Sequence, residues 1–257
     1  MAQLLKWSST VRRSAAELDK MRKAGRIVAE IKATTREAVR DGVTTAEIDK
    51  VAREVIERRG AKSNFLNYHG FPAVICTSPN SMIVHGIPGK HRLKEGDIIS
   101  IDCGAIWQGY HGDSAFTVGV GKISKEAQQL IEVTSRSLQA GIAMMEEGNH
   151  LHEVGRAVQR VVEAAGMAVV REYVGHGIGT AMHEPPNVPN YWPGSPGPKM
   201  KSGNVFAVEP MVNIGGAETR LLEDGWSVVT ADGSLSAHFE DTIAITDNGP
   251  EVFTADE

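Results

Sequence analysis

The sequence predicts an α+β fold made of two α-α-β halves, and three observations predict it. The hydrophobic period changes in the same order twice, from helical spacing over two segments to short β-branched runs. The second helix of each set also aligns at a constant offset. "GVTTAEIDKVAREVIERRG" (Gly42 to Gly60) matches "GNHLHEVGRAVQRVVEAAG" (Gly148 to Gly166), with Glu47 on Glu153, Ile48 on Val154, Val55 on Val161 and Ile56 on Val162. Amphipathic helices look alike in any case, so the flanking glycines and the strands downstream of both copies carry the inference of a duplication. Finally, no low-complexity stretch or charged linker divides the 257 residues. One domain over 1–257 with pseudo-two-fold symmetry is expected, with residues 1–13 a short amino-terminal segment and no domain of their own.

Each element has its own signal. From about Ser14 to Arg40, Leu18, Met21, Ile27, Ile31 and Val39 recur at helical spacing, and Asp41-Gly42 ends the run. Thr44 and Glu47 form a capping-box pattern that opens a second helix with Ile48, Val51, Val55 and Ile56 on one stripe. "AVICTSP", "DIISIDCGAIW" and "SAFTVGVG" then read as antiparallel strands, with a hairpin turning near Gln108-Gly109. The second set has helices from about Ser124 to Glu147 and from about Leu151 to Ala165. Its strand-like segments are "GMAVVREYVG", "GNVFAVEPMVNIG", "WSVVTADGS" and "AHFEDTIAIT". The Pro/Gly-rich stretch from Glu184 to Gly203 reads as an ordered surface loop.

Composition excludes several classes of function. Apolar content of 41%, charged content of 23% and a net charge of −5 describe an ordinary soluble protein. They supply no global attraction to nucleic acid or to an anionic membrane. No apolar run approaches the roughly 18 residues of a membrane helix, and the first residues are charged too early for a signal peptide. Cys76 and Cys103 have no CxxC spacing, so free thiols in the reducing cytoplasm are expected.

Four acids stand where strands should be oily. Asp102 follows "IISI", Glu209 follows "VFAV", Glu240 precedes "DTIAIT", and Asp113 lies on the far arm of the hairpin. No Lys or Arg lies between Lys94 and Lys122 to neutralise the first two. A single acid of this kind reads equally well as an ordinary buried carboxylate capped by backbone N–H groups. Four in separate strands would need four sets of donors. His176 and His183 lie in the Gly-rich "YVGHGIGTAMHEPPNVPNY", which reads as a loop folding back, and His85 emerges at a strand end in "MIVHGIPGK". One imidazole with four carboxylates can hold two divalent ions roughly 3.5–4 Å apart and acidify a water between them. With no thiolate in the set, intermediate or hard first-row ions are favoured. The chemistry so implied is hydrolysis.

The spacing of Asp102 and Asp113, with "GHGIGTAMHEPPNVPNY", "VEPMV" and "FEDT", resembles the type I methionine aminopeptidases of the pita-bread fold, in their compact bacterial form. The resemblance runs from about Ser14 to Phe253. It implies an internally duplicated α+β structure around a curved antiparallel sheet. It also implies Asp102, Asp113, His176, Glu209 and Glu240 as ligands of two divalent ions (cobalt, manganese, iron, zinc or nickel), with Asp113 and Glu240 bridging. Glu209 would handle the water proton, His183 would stabilise the tetrahedral intermediate, and His85 would contact the scissile amide. Tyr68, Phe71, Cys76 and Trp226 would form the methionine pocket with His85 and His183. Core packing is the plain alternative for such aromatics, but with aromatic content of only 5% their clustering beside the motifs favours the pocket. The implied substrates are nascent polypeptide amino termini with a small second residue. The implied setting is a cytoplasmic monomer, with the ribosome as a partner.

The chain departs from the family pattern at Ser81 (commonly acidic), Met182 (often aromatic), His238 (commonly Gln) and Asp241 (commonly His). None of these removes a ligand. Two rival readings are an Xaa-Pro-type peptidase of the same fold, which usually carries an extra amino-terminal domain, and a non-catalytic pita-bread binding protein, which typically loses ligands.

Overall fold

Side-chain caps open the first two helices. In the computed structural model, which describes residues 10–255, α1 (Ala15–Ala38) starts behind Ser14. The Ser14 side chain accepts from the Glu17 N–H, and the Glu17 carboxylate accepts from the Ser14 N–H at 2.8 Å. Thr44 and Glu47 repeat the device at α2 (Thr45–Arg58), as the sequence predicts. A cap of this kind is worth ~1 kcal/mol. The first nine residues of the expected amino-terminal segment lie outside the described residues.

The first half continues with β1 (Lys62–Ser63), β2 (Ile75–Pro79), β3 (Met82–Val84), β4 (Ile98–Trp107) and β5 (Tyr110–Gly119). The second half opens with α3 (Lys125–Ile142) and α4 (His152–Ala164), which pack on each other as α1 packs on α2. Its strands are β6 (Ala168–Val169), β7 (Gly175–Gly177), β8 (Glu184–Val188), β9 (Val205–Val208), β10 (Met211–Asn213), β11 (Thr219–Leu221), β12 (Val228–Thr230), β13 (Ser236–His238), β14 (Asp241–Thr246) and β15 (Gly249–Val252). The repeated order expected from the two aligned helices is present.

Three expectations need correction. α3 stops at Ile142, five residues short of Glu147, because the chain leaves the helix to bury Met145 beside Leu151. The Asn149 amide then donates to the Met144 carbonyl, and Gly148 turns at φ 90. The stretch from Glu184 to Gly203 begins as strand β8, with surface loop only beyond it. The shared sheet is divided into four antiparallel sheets: β1-β4-β2 with β5 on β4, β15-β14-β9-β7-β8, β13-β10-β6 and β11-β12-β3.

Each half has its own apolar core, where burying a Val, Leu or Ile side chain contributes about 1.5–3 kcal/mol. Ile31, Ile48, Val55, Ile101 and Phe116 belong to the first, and Leu138, Val154, Phe206 and Ile243 to the second. Phe239 packs against both. Beside it the halves are joined by a reciprocal backbone bridge: Ala115 N–H donates to Glu240 O at 3.2 Å, and Glu240 N–H to Ala115 O at 2.9 Å. No helix among the described residues is long and apolar enough to cross a membrane.

Candidate functional site

Sheet register gathers three of the acids. Asp102 pairs with Ala115 across the β4–β5 hairpin, and Ala115 bridges to Glu240 on its other side. Residues opposite one another in a ladder share a face, as do alternate residues along one strand. Asp102, Asp113 and Glu240 therefore project from one face around Ala115. The two-residue turn Gln108-Gly109, with φ of 48° and 82°, holds that register, as left-handed turn residues do in tight hairpins.

Glu209 arrives by a different route. Val208 pairs with Asp241 and Met211 pairs with His238, so Glu209-Pro210 lies opposite Phe239-Glu240 at a point where both strands break. Pro210 has no N–H to continue the ladder, and its carbonyl instead accepts from Phe239 N–H at 3.2 Å. The strand segments read as continuous through "VFAVEPMVNIG" and "AHFEDTIAIT" are thus each interrupted at their acid. The interruption sets Glu209 across from Glu240.

The two histidines meet because β7, a strand where a loop was expected and the carrier of His176, folds back on β8 through the turn that ends at His183. Their rings lie 4.3 Å apart. His176 Nδ1 lies 2.9 Å from the Gly177 carbonyl, which can only accept, so Nδ1 carries the proton and the neutral ring keeps a lone pair on Nε2. That Nε2 stands 3.5 Å from Glu209 Oε1. Burial, then the neighbouring His183, pushes the His176 pKa down to about 3. His183 is lowered to about 4 by burial, then by His69 and His111, and its Nδ1 lies 2.7 Å from the Tyr68 hydroxyl. His85 follows β3 in a left-handed conformation (φ 62°) and meets Tyr173 edge-on at 5.6 Å. Burial lowers it to about 4 as well.

All eleven residues singled out in the sequence line one cavity of about 200 Å³. Asp113, His176 and Glu240 each offer a ligand atom, all within 4.8 Å of one another, and Asp102 and Glu209 stand in the same wall. One buried oxygen each of Asp102, Asp113 and Glu240 has no hydrogen-bond partner. Burial raises the pKa of all four acids, Asp102 to about 7. Asp113, Glu209 and Glu240 rise well above the usual carboxylate range, and the neighbouring carboxylates add to that rise. Four carboxylates in one dry wall cannot all ionise unaided, and cations remove the penalty. An oxygen-rich set with one free imidazole nitrogen fits divalent first-row ions.

The remaining wall is apolar. Phe71 meets Trp226 edge-on at 5.1 Å and Phe65 at 6.4 Å, with Cys76 and Met182 buried among them. Both cysteines are free and buried. The sequence reading missed Phe65, Val84, Tyr173 and Val174. Of these, Tyr173 carried a signal, since it stands three residues before His176 in the same segment. The departures separate by position. His238 Nε2 is buried 3.8 Å from Glu209 Oε2, although the break after β13 removes the regular strand that would have set it on the face of Glu240. Asp241 turns away to Lys32, and Ser81 lies outside the cavity, its carbonyl accepting from Thr230 N–H.

Known proteins resemble this chain in sequence and in fold. The profile of metallopeptidase family M24 matches residues 19–247. A methionine aminopeptidase of Clostridium perfringens is 50% identical over 238 residues, which is 93% of this chain and 96% of that protein. The solved methionine aminopeptidase of Rickettsia prowazekii superimposes with a TM-score of 0.94 at 39% identity, covering 96% of this chain and 100% of that one. A prolidase of Pyrococcus furiosus shares the fold alone, with a TM-score of 0.79 at 20% identity; the match covers 96% of this chain and 66% of the prolidase. The α+β architecture expected from the duplicated halves and the pita-bread fold implied by the resemblance are therefore present, and the chain belongs to metallopeptidase family M24 and, within it, to the methionine aminopeptidases.

Proposed function

We propose that this chain is a metal-dependent aminopeptidase that removes the initiator methionine from nascent proteins whose second residue is small. The observation that carries the reading is the set of unpartnered buried carboxylate oxygens facing His176 at one end of an aromatic-walled cavity. Asp102, Asp113, His176, Glu209 and Glu240 would hold two divalent ions. When bound, such ions supply Lewis acidity, acidifying a water and polarising a carbonyl.

The protein groups do the rest. Glu209 takes the water proton and passes it on. With the Tyr68 hydroxyl donating to Nδ1, neutral His183 carries its proton on Nε2 and donates to the charge developing at the scissile carbonyl. His85, steadied by Tyr173, faces the scissile amide and the departing amine. Phe71, Cys76, Met182 and Trp226 surround the unbranched thioether and exclude water from it. Residues 1–257 act in this reading as one catalytic domain, a cytoplasmic monomer that meets its substrate at the ribosome.

The test is a substrate comparison on protein purified without added ions, with the bound metals identified by elemental analysis. Met-Ala-Ser should be cleaved and Ala-Pro-Ala left intact. Chelation should stop turnover and re-added divalent ion should restore it. His176→Ala and Glu209→Ala should abolish cleavage in folded protein. Preference for the proline peptide overturns the selectivity, and full activity in either variant overturns the mechanism.

A further inference from the structure

The geometry points to Arg13 as a positioning residue for His183: through Glu184 it pins the turn that presents that imidazole to the cavity. The inference rests on the aminopeptidase reading above.

His183 ends the turn between β7 and β8, and Glu184 is the next residue. One carboxylate oxygen of Glu184 gathers that turn. Its Oε1 accepts from Thr180 N–H at 2.8 Å, from Ala181 N–H at 3.1 Å and from the Thr180 hydroxyl at 3.2 Å. The other oxygen, Oε2, is taken by the Arg13 guanidinium. Both side chains are largely buried, 7% and 12% exposed. The guanidinium lies against the Gly179 backbone so closely that a Cβ there would come within 1.9 Å of it. Glycine at 179 is therefore part of the same clamp.

Arg13 is itself held from several directions. Its N–H donates to Gly203 O at 2.7 Å, its Nη1 stands 3.9 Å from Glu17 of the α1 cap, and two residues back the Val11 carbonyl accepts from the Asn204 amide at 2.9 Å. The residues leading into α1 thus form a strap across the base of the histidine turn. The turn is also tied to the first half by His111 N–H to Gly179 O at 2.9 Å and by the Tyr68 hydroxyl, 2.7 Å from His183 Nδ1. Removing Arg13 leaves a buried carboxylate with one oxygen uncompensated, and Glu184 then shifts toward water and takes Thr180 and Ala181 with it. A donor misplaced by about 1 Å can cost up to roughly a hundredfold in rate.

The experiment uses the full-length, metal-loaded protein with Arg13→Ala, Arg13→Lys and Glu184→Gln, alone and in a His183→Ala background. For Arg13→Ala we expect kcat on Met-Ala-Ser to fall about tenfold or more, with KM within a factor of about two and bound metal unchanged. Arg13→Lys should restore part of the loss. In the His183→Ala background the Arg13 substitution should cost nothing further, because its effect runs through that ring. Hydrogen exchange at the Thr180 and Ala181 amides should accelerate in Arg13→Ala, with or without metal. Unchanged kcat, equal losses with and without His183, or unchanged exchange overturns the inference. A parent protein inactive on Met-Ala-Ser would sink the aminopeptidase reading instead, and the exchange data would still decide whether the clamp exists.

Discussion

Glu240 and Asp241 are adjacent in sequence and opposite in circumstance. Asp241 points behind the junction, where its Oδ1 receives Thr254 Oγ1 at 2.7 Å, Ser114 Oγ at 3.2 Å and Lys32 Nζ at 3.4 Å. Glu240 points into the cavity, and one of its oxygens has no partner. Asp113 and Ser114 divide the same way: Ser114 donates to Asp241 and to the Glu240 carbonyl, while Asp113 keeps an unpartnered oxygen in front. The fold can satisfy a buried carboxylate at this junction, and behind the sheet it does. In front it does not, and that asymmetry marks the cavity as a place for cations.

The sharpest way to break this comparison is to neutralise each side. Glu240→Gln should abolish turnover while the metal-free variant unfolds at the same urea concentration as the parent or a higher one. Lys32→Met should do the reverse, costing about 3–5 kcal/mol by leaving Asp241 without its cation, with turnover per folded molecule retained. Lys32→Met combined with Asp241→Asn should recover most of that stability. Equal destabilisation on both faces would erase the distinction.

Proton linkage gives a second test. Burial raises Asp102 from 3.8 to about 7, so between those values the folded metal-free protein binds more protons than the unfolded chain. Its stability is therefore greatest below about pH 4 as far as this group is concerned, and falls as pH rises toward 7. Thermal melts of chelated protein should show that decline, and saturating divalent ion should remove it. A flat metal-free profile would mean the front carboxylates have protein partners after all.

The smallest effect concerns a front-face group that already has such a partner. Tyr68→Phe removes the hydroxyl beside His183 and should lower kcat/KM about fivefold, or about 1 kcal/mol, with the metal-free pH profile unaltered.

Much of this was legible in one dimension. The Thr44–Glu47 box, the turn at Gln108-Gly109 and the repeated helix pair were read from local spacing and are present in the structure. The four acids were legible because charge in an oily strand is anomalous wherever it occurs, whereas Tyr68, Phe71, Cys76 and Trp226 were named only through the family resemblance. Less was available for partners remote in sequence. Nothing near Glu184 announces Arg13, 171 positions away, and nothing near Asp241 announces Lys32, 209 away.

By itself, the sequence determined the helices, their caps, the hairpin and which acids stand out of place in apolar strands, because period, turn chemistry and the cost of burying charge act within a few residues. Only the tertiary structure decided which face each acid takes. That depends on the bridge between Ala115 and Glu240, on Glu209 lying opposite Glu240 where two strands break, and on the strap that carries Arg13. Register between segments more than a hundred residues apart is settled by how two cores pack against each other, and no local pattern encodes it.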